Sequence, residues 1–338
     1  MQHFRLSIIV TVIALAAAFA WAGITGAIIA LILGVLEVSL SFDNAVVNAA
    51  VLKRMDDKWQ QYFLTWGILI AVFGMRLLFP IAIVAVATGI DFVGVGEMAL
   101  KEPGTYAKHL EASHVQIAAF GGMFLLMVFF SFIFDTDKEL HWLGKLEEKL
   151  AGLGKLESIG IILALSLLLS SHQWLPMAIQ HEALVAGIAG VILYVLVDGM
   201  AALFDNDETG DGQLAGTVKK AGVMSFIYLE VLDASFSFDG VIGAFAITQD
   251  VIIIMLGLAM GAMFVRSLTV FLVRKGTLDE FVYLEHGAHY AIGTLAVIML
   301  MSMTIPVPEV VTGLIGAVLI GLSVLSSILY NRKHAVKD

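Results

Sequence analysis

The sequence predicts an all-α polytopic membrane protein, with about ten transmembrane helices in two inverted five-helix repeats. Three observations carry this expectation. The 338-residue chain is 59% hydrophobic and 14% charged, with a mean hydropathy of +0.94, whereas a soluble domain carries about 25% charged residues. Its apolar residues fall into stretches of membrane-spanning length. One eleven-residue stretch also occurs twice without a gap: residues 36–46 read LEVSLSFDNAV and residues 232–242 read LDASFSFDGVI.

A membrane helix needs about 20 mostly apolar residues. That rule gives spans at 6–22, 26–52, 62–88, 115–134, 157–175, 183–204, 219–247, 250–273, 286–304 and 309–330. The first is expected to be retained as a span, because further spans follow it and no cleavage signal leads into a soluble domain. Lys and Arg set the orientation. Of the 19, fifteen fall near the N-terminus, in the even-numbered loops or in the C-terminal tail. The odd-numbered loops hold only Lys101 and Lys108. By the positive-inside rule both termini are cytoplasmic, as an even number of spans requires. The expected location is a bacterial inner membrane, crossed many times. Trp21, Trp59, Trp142 and Trp174 stand near span ends, where an aromatic belt belongs.

The repeat extends beyond the motif. Gly67 and Arg76 in the third span match Gly257 and Arg266 in the eighth, at the same spacing, and His114 and Gly121 match His286 and Gly293. Residues 1–176 and 177–338 are then two transmembrane repeats. An odd number of spans per repeat inverts the second relative to the first. Two loops are long. Residues 89–114 hold Asp91, Glu97, Glu102, His109 and Glu111 on the expected outer side, which also carries His114, His172 and His181. Solvated interfacial histidines are the expectation for these four, with weak metal binding at the exit or pH sensing as the alternative. Residues 205–216 begin like a calcium loop with Asp205, Asp207, Glu208 and Asp211, but position 216 is Gly where the closing glutamate belongs. A solvated acidic turn is expected there.

The chemistry lies in the doubled motif. A carboxylate at mid-bilayer costs about 2.5–3.5 kcal/mol on insertion scales. Glu37, Asp43, Glu230, Asp233 and Asp239 all fall inside apolar spans. They must face protein and be paired, protonated or bound to a cation. Arg76 and Arg266 are the available charge partners, and two arginines leave a surplus of three negative charges if all five acids ionise. Glu37, Ser41, Asn44 and Asn48 share one helical stripe, as do Glu230, Asp233, Ser237 and Gly240. Asp43 lies about 240° around the helix from Glu37, and Asp239 likewise leaves its stripe. Each motif therefore serves two faces or is unwound near its middle. The expected metal ligands are Glu37, Asp43, Asn44, Asp233, Asp239, Glu230, Ser41 and Ser237. This all-oxygen set suits hard cations such as Mg²⁺, Ca²⁺ or Mn²⁺.

At Glu37 with Ser41-Phe42-Asp43-Asn44, and at Asp233 with Ser237-Phe238-Asp239, the sequence resembles the TerC-type integral membrane family within the LysE-like exporters. It is most similar to a ten-span branch. The resemblance implies metal-ion handling, notably manganese export, and a link to tellurite resistance. It implies ligand roles for Glu37, Asp43, Asn44, Asp233 and Asp239. Gly240 departs from it, standing where the first copy has Asn44.

The expected function is a secondary transporter exporting a divalent metal cation as substrate, manganese favoured, with protons as the coupling ion. Two alternatives stand beside it: an intramembrane enzyme with an acidic dyad, and a structural membrane partner of a metal or tellurite stress-resistance complex. The chain is not expected to be an enzyme, since no nucleophile with a base accompanies the acids. The expected partners are the lipid bilayer, the metal ion and protons. A net charge of −10 excludes nucleic acid, and the absence of cysteine excludes thiolate metal sites and disulfides. A homo-oligomer is left open.

Overall fold

The computed structural model describes residues 4–53, 55–156, 158–171, 173–205 and 214–335. Every regular element among the described residues is helical. In hydrocarbon a helix satisfies its own backbone groups, which is why composition and fold agree here. The ten expected stretches fall on helical segments, the second and third each running over more than one. Among the described residues, five helices are long and apolar enough to cross a membrane: Arg5–Leu40, His114–Ile133, Met177–Gly199, Val251–Arg274 and Val311–His334.

The chain packs as two compact units. The first comprises Met1–His114 and Gly222–Lys275, the second Val115–Ala221 and Gly276–Asp338. Each unit draws segments from both of the expected halves, so the units do not follow the division at residue 176.

In the first unit, α1 (Arg5–Leu40) and α12 (Val251–Arg274) form the principal contact. A straight helix of 36 residues would be about 54 Å long, against a hydrocarbon core of about 30 Å. The helix is not straight. Ala22 (φ −132, ψ 21) and Gly23 (φ 65, ψ −158) leave helical geometry, and the Gly23 conformation is one that a side chain resists. The two halves then run along α12 in opposite senses. Ser7 bonds the Met263 carbonyl and Ser267, while Trp21 donates to Asp250. Beyond the break, Gly26 approaches Ile253, Gly34 approaches Gly257, and Glu37 lies against Gly261. The position on α12 falls and then climbs, so α1 is a helical hairpin whose turn lies where the first two expected spans meet. Most of its buried positions are small (Ala14, Ala18, Gly26, Ala30, Gly34), which lets the backbones approach. Ile9, Val12, Ile13, Phe19, Ile24 and Val35 cover its outer face.

α2 (Phe42–Lys53) follows a break at Ser41. α3 (Asp57–Leu69) is capped by Asp56, which accepts the Trp59 N–H. It continues as a π-helical stretch, Ile70–Leu78, into α4 (Phe79–Thr88). The expected loop at 89–114 is in fact two short helices, α5 (Phe92–Lys101) and α6 (Pro103–Ala112). Asp91 caps the first by accepting the Gly94 N–H, and Pro103 opens the second. α11 (Leu214–Ile247) carries the second motif copy without interruption.

The second unit is built around α7 (His114–Ile133), most of whose side chains are buried. Gly187 and Gly190 of α10 (Met177–Asp205) meet Met123 and Phe120, and Gly160 of α9 (Ile159–Ser171) meets Phe130. Gly293 of α14 (Leu284–Ser302) meets Phe129. α15 (Glu309–Ala335) packs on α14, with Ser327 accepting the Tyr283 N–H at 2.9 Å. α8 (Lys145–Leu153) and the single turn α13 (Thr277–Glu280) complete the unit. The acidic residues Asp207, Glu208 and Asp211, and His172, lie outside the described residues.

Candidate functional site

The first unit brings five charged side chains into one buried row. Glu37, near the end of α1, accepts from Arg76. Arg76 Nη1 stands 3.9 Å from Asp233 Oδ2, and Arg266 Nη2 stands 3.7 Å from the same oxygen. Arg266 Nη2 then donates to both oxygens of Glu230, at 3.1 and 3.3 Å. The order is Glu37, Arg76, Asp233, Arg266, Glu230, with charge alternating along it and Asp233 at the centre. All five are buried. Taken as ionised, the row carries one net negative charge.

Each arginine is held by backbone as well as by acid. Arg76 Nη1 donates to the Ala71 carbonyl at 2.8 Å, one π-helical turn back. The π geometry is wider than an α-turn and is frequent at functional sites. Arg266 Nη1 donates to the Phe63 carbonyl at 2.9 Å, and its guanidinium lies 4.1 Å from the centre of the Phe63 ring. Gly67 makes room for this arrangement, since a β-carbon there would stand 2.4 Å from Arg266 Nη1 and 2.8 Å from Glu230 Oε1.

The two motif copies differ. In the first, α1 ends at Ser41 (φ −102, ψ 20), whose N–H still bonds the Glu37 carbonyl. The Ser41 hydroxyl lies 3.4 Å from Glu37 Oε1. The chain restarts as α2 with Asp43 in its first turn, where Oδ1 accepts the Asn44 N–H at 3.0 Å. The break thus falls between Glu37 and Asp43. In the second copy, Asp233, Ser237 and Asp239 lie on one continuous helix. The Asp239 side chain lies outside the described residues.

The structure thus assembles Glu37, Arg76, Glu230, Asp233 and Arg266, and buries Ser41, Asp43, Asn44 and Ser237. Asp233 Oδ2, Ser237 Oγ and Asn48 Oδ1 are buried oxygens without a hydrogen-bond partner. Among the described residues, no three His, Asp or Glu side chains are grouped to hold a metal by themselves. Sequence reasoning did not foresee the parts played by Gly67, Phe63 and Ala71. Gly67 was visible only as a repeat match to Gly257, and the contacts that explain it are tertiary.

A second buried polar cluster, in the other unit, was also missed. Glu147 of α8 pairs with Lys138 at 2.7 Å and lies 3.4 Å from His286 Nε2. Its Oε2 accepts the Leu143 N–H at 3.0 Å. Burial pushes the Glu147 carboxyl up, but Lys138, the Leu143 N–H and His286 outweigh it and hold the group below its ordinary range. No local spacing announces a cluster drawn from residues 138, 147 and 286.

Fold and site together define a membrane-type helical protein with a buried row of alternating carboxylates and guanidinium groups. The chain belongs to the DUF475 family, described as "Protein of unknown function (DUF475)", whose match covers residues 42–334. No curated protein and no solved structure matches it.

Proposed function

We propose that this protein is a secondary transporter that exports a divalent metal cation, manganese favoured, in exchange for protons. One observation carries the reading. Asp233 Oδ2 is buried between two guanidinium groups yet hydrogen-bonded to neither. It is the weakest link in the row, a carboxylate oxygen whose acceptor capacity is unspent. Ser237 Oγ and Asn48 Oδ1 supply further unpaired oxygen, and Asp43 and Asp239 further charge. In this reading the arginines neutralise the acids when no metal is bound and withdraw from Asp233 when one enters. Ten spans in two inverted repeats would place the two motif copies on oppositely directed helices near the midplane. The resemblance of both copies to TerC-type exporters supports manganese. The distribution of Lys and Arg favours cytoplasmic termini, and the resemblance to TerC-type exporters favours a bacterial inner membrane.

The test is metal accumulation in cells expressing the wild type, Asp233→Asn or Asp239→Asn, across Mn²⁺, Mg²⁺, Ca²⁺ and Zn²⁺. The wild type is expected to lower the content of one metal, and both variants to lose that effect. No difference for any metal would sink the proposal. Proton coupling is tested separately in proteoliposomes, where metal flux without a change of internal pH would refute it. The acidic-dyad reading requires Asp43 to contact Asp239, and the scaffold reading leaves the row of charges unexplained.

A further inference from the structure

We propose that α8 is an interfacial helix that lies in the plane of the membrane surface and takes anionic phospholipid. The proposal is independent of the transport reading.

The position of α8 is fixed by contacts to the ends of apolar helices. Near its first turn, Glu147 pairs with Lys138, and Lys138 donates to the Phe132 carbonyl at 3.0 Å and lies over the Phe132 ring. Phe132 is in the last turn of α7. Just past the other end of α8, Gly154 packs so tightly on the residue after α7 that a β-carbon would meet the Phe134 carbonyl oxygen. Gly154 thus rests directly on the end of one membrane-length helix, and Glu147, seven residues and about 10 Å away along the axis, is tied to the same end through Lys138. A helix so held lies across that end. Glu147 also reaches His286, in the first turn of α14. From Leu153 the chain passes into α9 through consecutive tight turns, Leu156 N–H to Leu153 O and Ile159 N–H to Leu156 O.

The buried anchor fixes the roll of the helix. Glu147 is fully buried and Ala151 lies beside it, so this face meets protein. Leu146 and Leu153 lie within about 20° of each other on a flank of the helix. Both are exposed, Leu146 at 59%, and the neighbouring Leu143 and Leu156 (61%) are exposed too. Lys145 and Lys149 stand next to this leucine flank, while Glu148 points about 160° away from Leu146. Exposed leucines bordered by lysines, at the level where a membrane-length helix ends, match a bilayer surface: leucine among the acyl chains and lysine among the headgroups. Lysines so placed attract anionic headgroups. A soluble protein partner would not require the leucine flank to sit at the end of α7.

The chain contains no cysteine, which permits a direct test on the full protein. Single spin labels at Leu146→Cys, Leu153→Cys, Glu148→Cys and Gly152→Cys are read in nanodiscs for accessibility to oxygen and to a water-soluble nickel chelate. The Leu146 and Leu153 sites are expected to favour oxygen, and the Glu148 and Gly152 sites nickel. Phosphatidylglycerol added to phosphatidylcholine is expected to deepen the first pair, and Lys145→Gln with Lys149→Gln to abolish that shift. Nickel access at all four sites, or spin–spin coupling between copies at Leu146, would overturn the proposal. Equal depth in both lipid mixtures would overturn its anionic part.

Discussion

Glu37 and Gly240 meet across the two copies of the motif: a β-carbon at Gly240 would stand 2.8 Å from Glu37 Oε2. The second copy lacks a side chain where the first carries Asn44, and this contact gives the reason. An amide at 240 would occupy the space of the Glu37 carboxylate. Gly240→Ala is expected to push that carboxylate off Arg76, costing about 1–3 kcal/mol as an overpacked site. Thermal unfolding in detergent measures the cost. Glu37→Asp, with its shorter side chain, should reduce the penalty of Gly240→Ala, which a double-mutant cycle detects as coupling.

Removing Asp233 and removing Arg76 should have opposite consequences. Asp233→Asn leaves two acids facing two arginines, so the buried row becomes neutral. The variant is expected to melt near the wild type while losing metal flux. Arg76→Met strands Glu37 and weakens the surroundings of Asp233. Breaking a buried pair on one side costs about 3–5 kcal/mol, so this variant should be the less stable of the two. Equal melting temperatures would contradict the charge order described above.

Gly23 offers a test of the helical hairpin that is free of crowding. No atom lies within 4 Å of a β-carbon built there, yet its φ is 65°. Gly23→Ala therefore isolates the backbone cost, expected at about 1–3 kcal/mol. The loss should appear as a lower melting temperature and as easier proteolysis near residue 23.

Glu147 gives α8 a pH dependence with a definite sign. Its folded carboxyl titrates below the ordinary value, so its contribution is present above the ordinary glutamate range and is lost as pH falls through the folded value. A label at Leu146→Cys should stay immobilised from neutral pH down to that range and become mobile only below it. Lys138→Met removes the strongest of the lowering interactions and should shrink the dependence.

Much of the site was legible because carboxylates in apolar spans need partners. Glu37, Glu230 and Asp233 had to be paired, and Arg76 and Arg266 were the arginines within the spans. The order along the row was not legible, because it depends on which helices touch. The helix-wheel offset of Asp43 implied two faces or a break, and the first copy is broken at Ser41. The second copy carries the same offset on an unbroken helix, so periodicity alone could not separate the two outcomes. The charged segment at 89–114 suggested a loop, as did the interval left between the expected spans 115–134 and 157–175, although Asp91, Pro103 and the KLEEKLAGL pattern of α8 are local helix signals. Their polarity, judged against membrane length, concealed short helices.

The spacing of the buried pairs along the chain bears on how this protein enters a membrane. Glu37 is 39 residues ahead of Arg76, and Glu230 is 36 ahead of Arg266. At roughly 5–20 residues per second, each acid waits on the order of 2–8 s for its guanidinium. The α1 hairpin waits far longer for its scaffold. Ser7 and Ser267 are separated by 260 residues, on the order of 13–52 s of synthesis. Counter-charge is thus supplied almost at once within each segment, while α1 must persist in lipid on its own apolar surface until α12 is made.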